Sequence, residues 1–82
     1  QRFRVQGSRI VGETHVKMWV ELEGSGRRFD AIAFNLLQGR PALRGAGGTV
    51  VLPQNVHLVY RLDVNEWNGE RRLQLLVDHL LE

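Results

Sequence analysis

Asn68-Gly69 constrains this chain more than any other pair of residues. A two-residue type I′ turn needs positive φ at both central positions, and Asn-Gly supplies this most readily, so a β-hairpin is expected around it. Counting outward, Trp67 faces Glu70, Glu66 faces Arg71 and Asn65 faces Arg72; Val64 then meets Leu73, Leu62 meets Leu75 and Tyr60 meets Val77. The last three pairs share one face, as a register set by burial requires. A slip of one residue would set Asp63 against Leu73, so the register is well specified. The rest of the chain is therefore expected to cover the face made by Tyr60, Leu62, Val64, Leu73, Leu75 and Val77, with Tyr60 in the core.

Earlier segments continue the β pattern. Phe3 to Val11 reads as a first strand, and Gly7 inside it marks a bulge or sharp bend. Gly12-Glu13-Thr14 supplies a turn. From His15 to Glu23 the alternation is strict: Val16, Met18, Val20 and Leu22 on one face, His15, Lys17, Trp19 and Glu21 on the other. After Gly24-Ser25-Gly26, Arg27 to Phe34 forms a third strand. Phe29, Ala31 and Ala33 share one of its faces and Asp30, Ile32 and Phe34 the other, which leaves open the side that turns inward.

Asn35 to Pro53 breaks the pattern. Asn35 is expected to cap a short helical turn at Leu36-Leu37-Gln38, ended by Gly39 and blocked by Pro41. Arg44 to Gly48 reads as flexible, and Thr49 to Leu52 as a short strand. Five β segments with an irregular or briefly helical connection between strands three and four describe an all-β fold, the five-stranded Greek-key barrel called the OB-fold. An SH3-like barrel is the competing architecture; the connection and the two long final strands favour the OB-fold.

Eighty-two residues, 43% of them apolar and 24% charged, make one small soluble domain with a marginal core. The chain has no cysteine, so disulfides and thiolate metal sites are excluded. No apolar run reaches the length of a membrane span and no signal-peptide pattern opens the chain, so no membrane partner is expected. Because it begins with Gln rather than Met, we take residues 1–82 as a single domain excised from a larger cytoplasmic protein. Charge is uneven: eight basic and four acidic residues in 1–60 give +4, and three basic and five acidic in 61–82 give −2. That bias fits an anionic partner, and fits a mixed solvated surface equally well.

Catalytic signatures are lacking. His15, His57 and His79 fall on different strands without metal-ligand spacing, the carboxylates form no pair, and Ser8 and Ser25 have no nucleophile-elbow context. Gly45, Gly47 and Gly48 lack the Gly-Lys-Ser/Thr ending of a phosphate loop. Single-stranded nucleic acid is the better match. It is held by cations along its phosphates and aromatic rings beneath its bases. An OB-fold places that groove on strands two and three, between the 1–2 and 4–5 loops. Lys17 and Trp19 lie on the outer face of strand two, Arg27 and Arg28 begin strand three, and Trp67 sits at the hairpin tip with Arg71 and Arg72 beyond it. Each has a plainer reading. Trp19 would equally cover a barrel end or face a neighbouring domain, Trp67 would pack over the turn, and Arg71 would pair with Glu66. Glu66 and Glu70 beside the tip repel phosphates.

Three blocks of sequence carry a family likeness: Gly12-Glu13-Thr14-His15-Val16-Lys17-Met18, Asp30-Ala31-Ile32-Ala33-Phe34-Asn35, and Tyr60 through Gly69 with Leu73-Gln74-Leu75. Together they resemble the OB domain of RecJ, a family of bacterial single-stranded-DNA-specific 5′→3′ exonucleases acting in DNA repair and recombination. The resemblance spans nearly the whole chain. It implies a parent nuclease whose separate core cleaves with Mn²⁺ or Mg²⁺ held by aspartates and histidines. Asp78-His79-Leu80 is not the Asp-His-His motif of that core, so this chain is expected to bind rather than cut and to carry no cofactor. The implied partners are single-stranded DNA, the catalytic domains of the same chain and a single-stranded-DNA-binding protein. His15, inside the first block, joins the candidate DNA-binding residues. The alternative is a scaffolding module that docks on the catalytic lobes or on a replication or repair protein.

Overall fold

The computed structural model describes residues 1–82, the side chain of Trp67 excepted. Five strands form: β1 (Arg2–Val11), β2 (His15–Leu22), β3 (Arg28–Ala33), β4 (Asn55–Trp67) and β5 (Glu70–Leu81). One helical turn, α1 (Leu36–Gly39), and two 3-10 turns fill the connection between β3 and β4. The strands pair in the order β1-β2-β3-β5-β4, and β4 returns to β1 to close a barrel. Only β3–β5 is parallel. This order is the OB-fold barrel expected from the sequence.

The interior is filled in layers. Val16, Met18 and Val20 of β2 are buried, as the alternation requires, together with Phe3, Val56, Leu58, Leu75, Leu80 and Leu37. Strand β3 turns Ala31 and Ala33 inward, which settles the face left open by its sequence. Met18, Ala31 and Leu75 are direct neighbours across β2, β3 and β5, so a small residue sits between two large ones in one layer. Small barrels fill their interiors by such alternation. Tyr60 is half-buried, edge-on to Phe3 at 5.6 Å, and its hydroxyl bonds the Gln1 side chain.

The hairpin has the expected turn, with φ of 50° at Asn68 and 79° at Gly69, and the expected register from Trp67–Glu70 to Tyr60–Val77. Its burial differs from expectation. Leu62, Val64 and Leu73 are 63%, 50% and 39% exposed. The reason is reach: β1 pairs with β4 only at Asn55–His57, and β3 with β5 only at Gln74–Leu76. Beyond those pairs the ribbon runs past the barrel rim as a two-stranded arm with nothing over its apolar face. A further irregularity pairs Val59 with His79 but Tyr60 with Val77, leaving Asp78 as an extra residue. The bulge reverses the alternation, so Leu75 and Leu80 both point inward. Gly7 marks a second bulge, where pairing moves from Val5–Val20 to Gly7–Trp19.

Two local expectations are corrected. Asn35 is not a side-chain cap; it sits in the left-handed region at φ 57°. Its N–H donates to His15 Nδ1 (2.9 Å) and its Oδ1 accepts from the Thr14 hydroxyl (3.0 Å), while the Leu37 N–H donates to the Thr14 carbonyl (3.0 Å). The corner after β3 is thus tied to the start of β2. Thr49–Leu52 is not a strand, because only Val50 makes a bridge, to Arg44. The glycine-rich stretch read as flexible is held by bonds from the Gly45 N–H to the Thr49 carbonyl and from the Thr49 hydroxyl to the Ala46 carbonyl.

Candidate nucleic-acid interface

The alternation that buries Met18 and Val20 turns Lys17 and Trp19 to the outer surface of β2. Trp19 faces Gly7 on one side and Asp30 on the other. Its indole lies across the space a side chain at position 7 would take: a Cβ on Gly7 would meet Cε3 at 3.2 Å. Lys17 Nζ stands 5.7 Å from the Trp19 ring centroid, a contact of about 0.5–1 kcal/mol at an exposed site. Across β1, Lys17 faces Arg9.

At the other end of β3 the chain brings in Arg27 and Arg28. The Arg27 guanidinium lies 5.5 Å from the Phe29 centroid. Arg28 is 3.9 Å from the Glu21 carboxylate, which also accepts from the Gln6 amide at 2.8 Å. Two shallow hollows flank this strand end. One, of about 310 Å³, is lined by Gln6, Trp19, Arg28, Phe29 and Asp30. The other, of about 320 Å³, is lined by Arg27, Arg28, Phe29, Asp30, Arg72 and Leu73. They adjoin at Arg28, Phe29 and Asp30, forming a trough in two parts: Gln6 and Trp19 line the β2 side, and Arg72 and Leu73 line the side toward the arm. It combines an indole wall with three guanidinium groups, the chemistry that holds a base and its phosphates.

The structure therefore gathers Trp19, Arg27, Arg28 and Arg72 at one trough, with Lys17 beside it. Arg71 and His15 lie apart. Arg71 pairs with Glu66 at 3.3 Å on the exposed arm, a contact worth at most about 1 kcal/mol. His15 is at the opposite end of β2, its Nδ1 taken by the Asn35 N–H and its ring edge-on to Phe34 at 5.2 Å. The Trp67 side chain lies outside the described residues; its backbone pairs with Glu70. Several other cations are committed elsewhere: Arg61 to Asp78 at 3.1 Å, Arg40 to the Leu80 carbonyl and Glu82, Arg44 to the Glu13 carbonyl. Among the described residues, Lys17, Arg9, Arg27 and Arg72 have no carboxylate within ion-pair distance. Gln6, Phe29, Asp30 and Arg9 were not singled out by sequence reading. Only the strand register, and the bulge that carries Gln6 toward Glu21, reveals them.

Among the described residues, no group of three or more His, Asp and Glu side chains converges to hold a metal ion. Among the described residues, no helix is long and apolar enough to cross a membrane.

Comparison with known proteins gives a consistent answer. The family model described as the RecJ OB domain matches residues 1–79. A single-stranded-DNA-specific exonuclease RecJ of Dickeya dadantii is 42% identical over 96% of this chain, and its Salmonella typhimurium counterpart is 40% identical over 96%. The Escherichia coli protein of the same name is 39% identical over 95%. The chain spans only 12% of the length of each of these relatives. No solved structure gives a significant match.

Proposed function

The chain belongs to the RecJ OB domain family, and from that premise we propose that it binds single-stranded DNA in the Trp19–Arg28–Arg72 trough and guides it to a nuclease core elsewhere in a longer polypeptide. One observation carries the reading: Trp19 lines one of two adjoining hollows, and Arg27, Arg28 and Arg72 line the other, with Arg28 and Asp30 common to both. OB-folds hold oligonucleotides on this face. The relatives are named as single-stranded-DNA-specific exonucleases, which supports DNA as the ligand. On this reading, cleavage with its Mn²⁺ or Mg²⁺ belongs to the catalytic core, and the parent acts on DNA in the cytoplasm. Among the described residues, no group of three or more His, Asp and Glu side chains fits such an ion.

Titration with labelled oligonucleotides at two salt concentrations tests the binding. Affinity should fall as salt rises, with a log–log slope of about −0.7 for each phosphate held. Lys17→Ala and Arg28→Ala should each weaken binding while the domain stays folded. Trp19→Ala should cost about 1–3 kcal/mol as a lost stacking surface. Undetectable binding at high micromolar protein, or affinity indifferent to salt, would overturn the reading.

The uncovered arm favours a second role beside the first. Leu62, Val64 and Leu73 offer an apolar face that the catalytic part of the same polypeptide would cover. Leu62→Asp with Val64→Asp should then reduce nuclease activity of the long polypeptide and leave the oligonucleotide affinity of the 82-residue chain unchanged.

A further inference from the structure

Asp30 stands in the middle of the trough. It lies directly opposite Trp19 across β2 and β3, and it lines both hollows. It is half-buried, and among the described residues no donor hydrogen-bonds or ion-pairs with its carboxylate. Glu21, further along the same outer face, is by contrast occupied by Gln6 and Arg28. On a surface that holds phosphates, an unoccupied carboxylate opposes binding by like-charge repulsion. Beside a stacking ring it meets a different part of the ligand: the edge of the base.

A carboxylate offers two acceptor oxygens and no donor. Guanine presents two adjacent donors on its pairing edge, the ring N1–H and the N2 amino group. Cytosine and adenine each present one amino donor next to an acceptor. Thymine presents a single ring N–H between two carbonyls, which a carboxylate repels. We propose that Asp30 is the base-reading group of the trough, accepting from the pairing edge of a guanine held against Trp19 and disfavouring thymine. The arginines then hold the phosphates and Asp30 supplies the discrimination, the division of labour general to nucleic-acid recognition. The proposal rests on the DNA-binding reading above and adds a base preference to it.

The test compares two oligonucleotides of about twelve nucleotides, within the range an OB-fold accommodates. One is all thymine and the other carries isolated guanines in the same background, which keeps guanine runs from associating. The 82-residue chain should bind the guanine-containing strand at least about fivefold more tightly, the lower end for a bidentate base contact. Asp30→Ala and Asp30→Asn should both tighten binding of the all-thymine strand by removing a negative charge. In both variants the two strands should come within about twofold of each other. Equal affinity in the unchanged chain, or a guanine preference that survives both substitutions, overturns the assignment of Asp30 and leaves the groove reading standing. Failure to bind either strand overturns the groove reading and the base preference with it.

Discussion

Trp19 rests across Gly7, so close that a methyl group at position 7 would meet its Cε3 at 3.2 Å and its Cζ3 at 3.8 Å. Gly7 has no positive φ, so its backbone would accept another residue; what it provides is the space for the indole. Gly7→Ala should push Trp19 outward by a few tenths of an ångström and weaken oligonucleotide binding by about threefold, a fraction of one stacking contact. In a Trp67→Phe background, the same substitution should change the Trp19 emission spectrum. An unchanged spectrum with unchanged affinity would separate Gly7 from the site.

Leu75 and Leu62 face each other on the hairpin yet stand in different environments, 1% and 63% exposed. Leu75→Ala should cost about 2–4 kcal/mol, as loss of a buried side chain within a packed layer does. Leu62→Ala should stay within about 0.5 kcal/mol, like other surface changes. Thermal denaturation of the two variants reads the contrast directly. Equal losses would mean that the arm is covered in the free domain.

Asn35 holds a left-handed backbone at φ 57° and joins the Thr14 hydroxyl to the His15 ring. Asn35→Ala should destabilise by about 1–2 kcal/mol, because a Cβ is disfavoured there and Asn tolerates it through local hydrogen bonding. Asn35→Gly removes the Cβ penalty and loses only the contact with Thr14, so it should cost less than Asn35→Ala. The reverse order in chemical denaturation would show that the side-chain bond, not the backbone, holds the corner.

Arg72 and Arg71 are neighbours in sequence but not in environment. Arg72 lines the trough, whereas Arg71 pairs with Glu66 on the arm. Arg72→Ala should reduce the salt slope of binding by about 0.7, one phosphate contact, and Arg71→Ala should leave the slope nearly unchanged. Matching effects would extend the interface along the arm.

These contrasts mark what the sequence made legible. The Asn68-Gly69 turn determines pairing by counting, and every pair from Trp67–Glu70 to Tyr60–Val77 follows. Counting assigns side chains to a face, however, and burial also depends on where the neighbouring strands stop. Leu62, Val64 and Leu73 therefore read as core and stand in solvent. Lys17 and Trp19 were legible as outward residues because β2 alternates strictly. The opposition of Trp19 and Asp30 was not, since it depends on the register across the Glu23-Gly24-Ser25-Gly26 loop, for which the letters hold no counting rule comparable to Asn-Gly. The approach of Arg72 to Arg28 comes from the parallel β3–β5 pairing, between segments more than forty residues apart.

That parallel pairing also governs how the barrel comes into being. Asp30–Gln74, Ala31–Leu75 and Ile32–Leu76 join β3 to β5, so the ring cannot close until residues 74–76 have been made. During synthesis β1, β2 and β3 can form a meander whose outer edge is bare, and bare strand edges recruit other chains. Pairings between such distant segments also form slowly, because the intervening loop must be ordered before any contact rewards it. The hairpin at Asn68-Gly69 has local contacts, and through β5 it supplies the partner that covers the bare edge of β3.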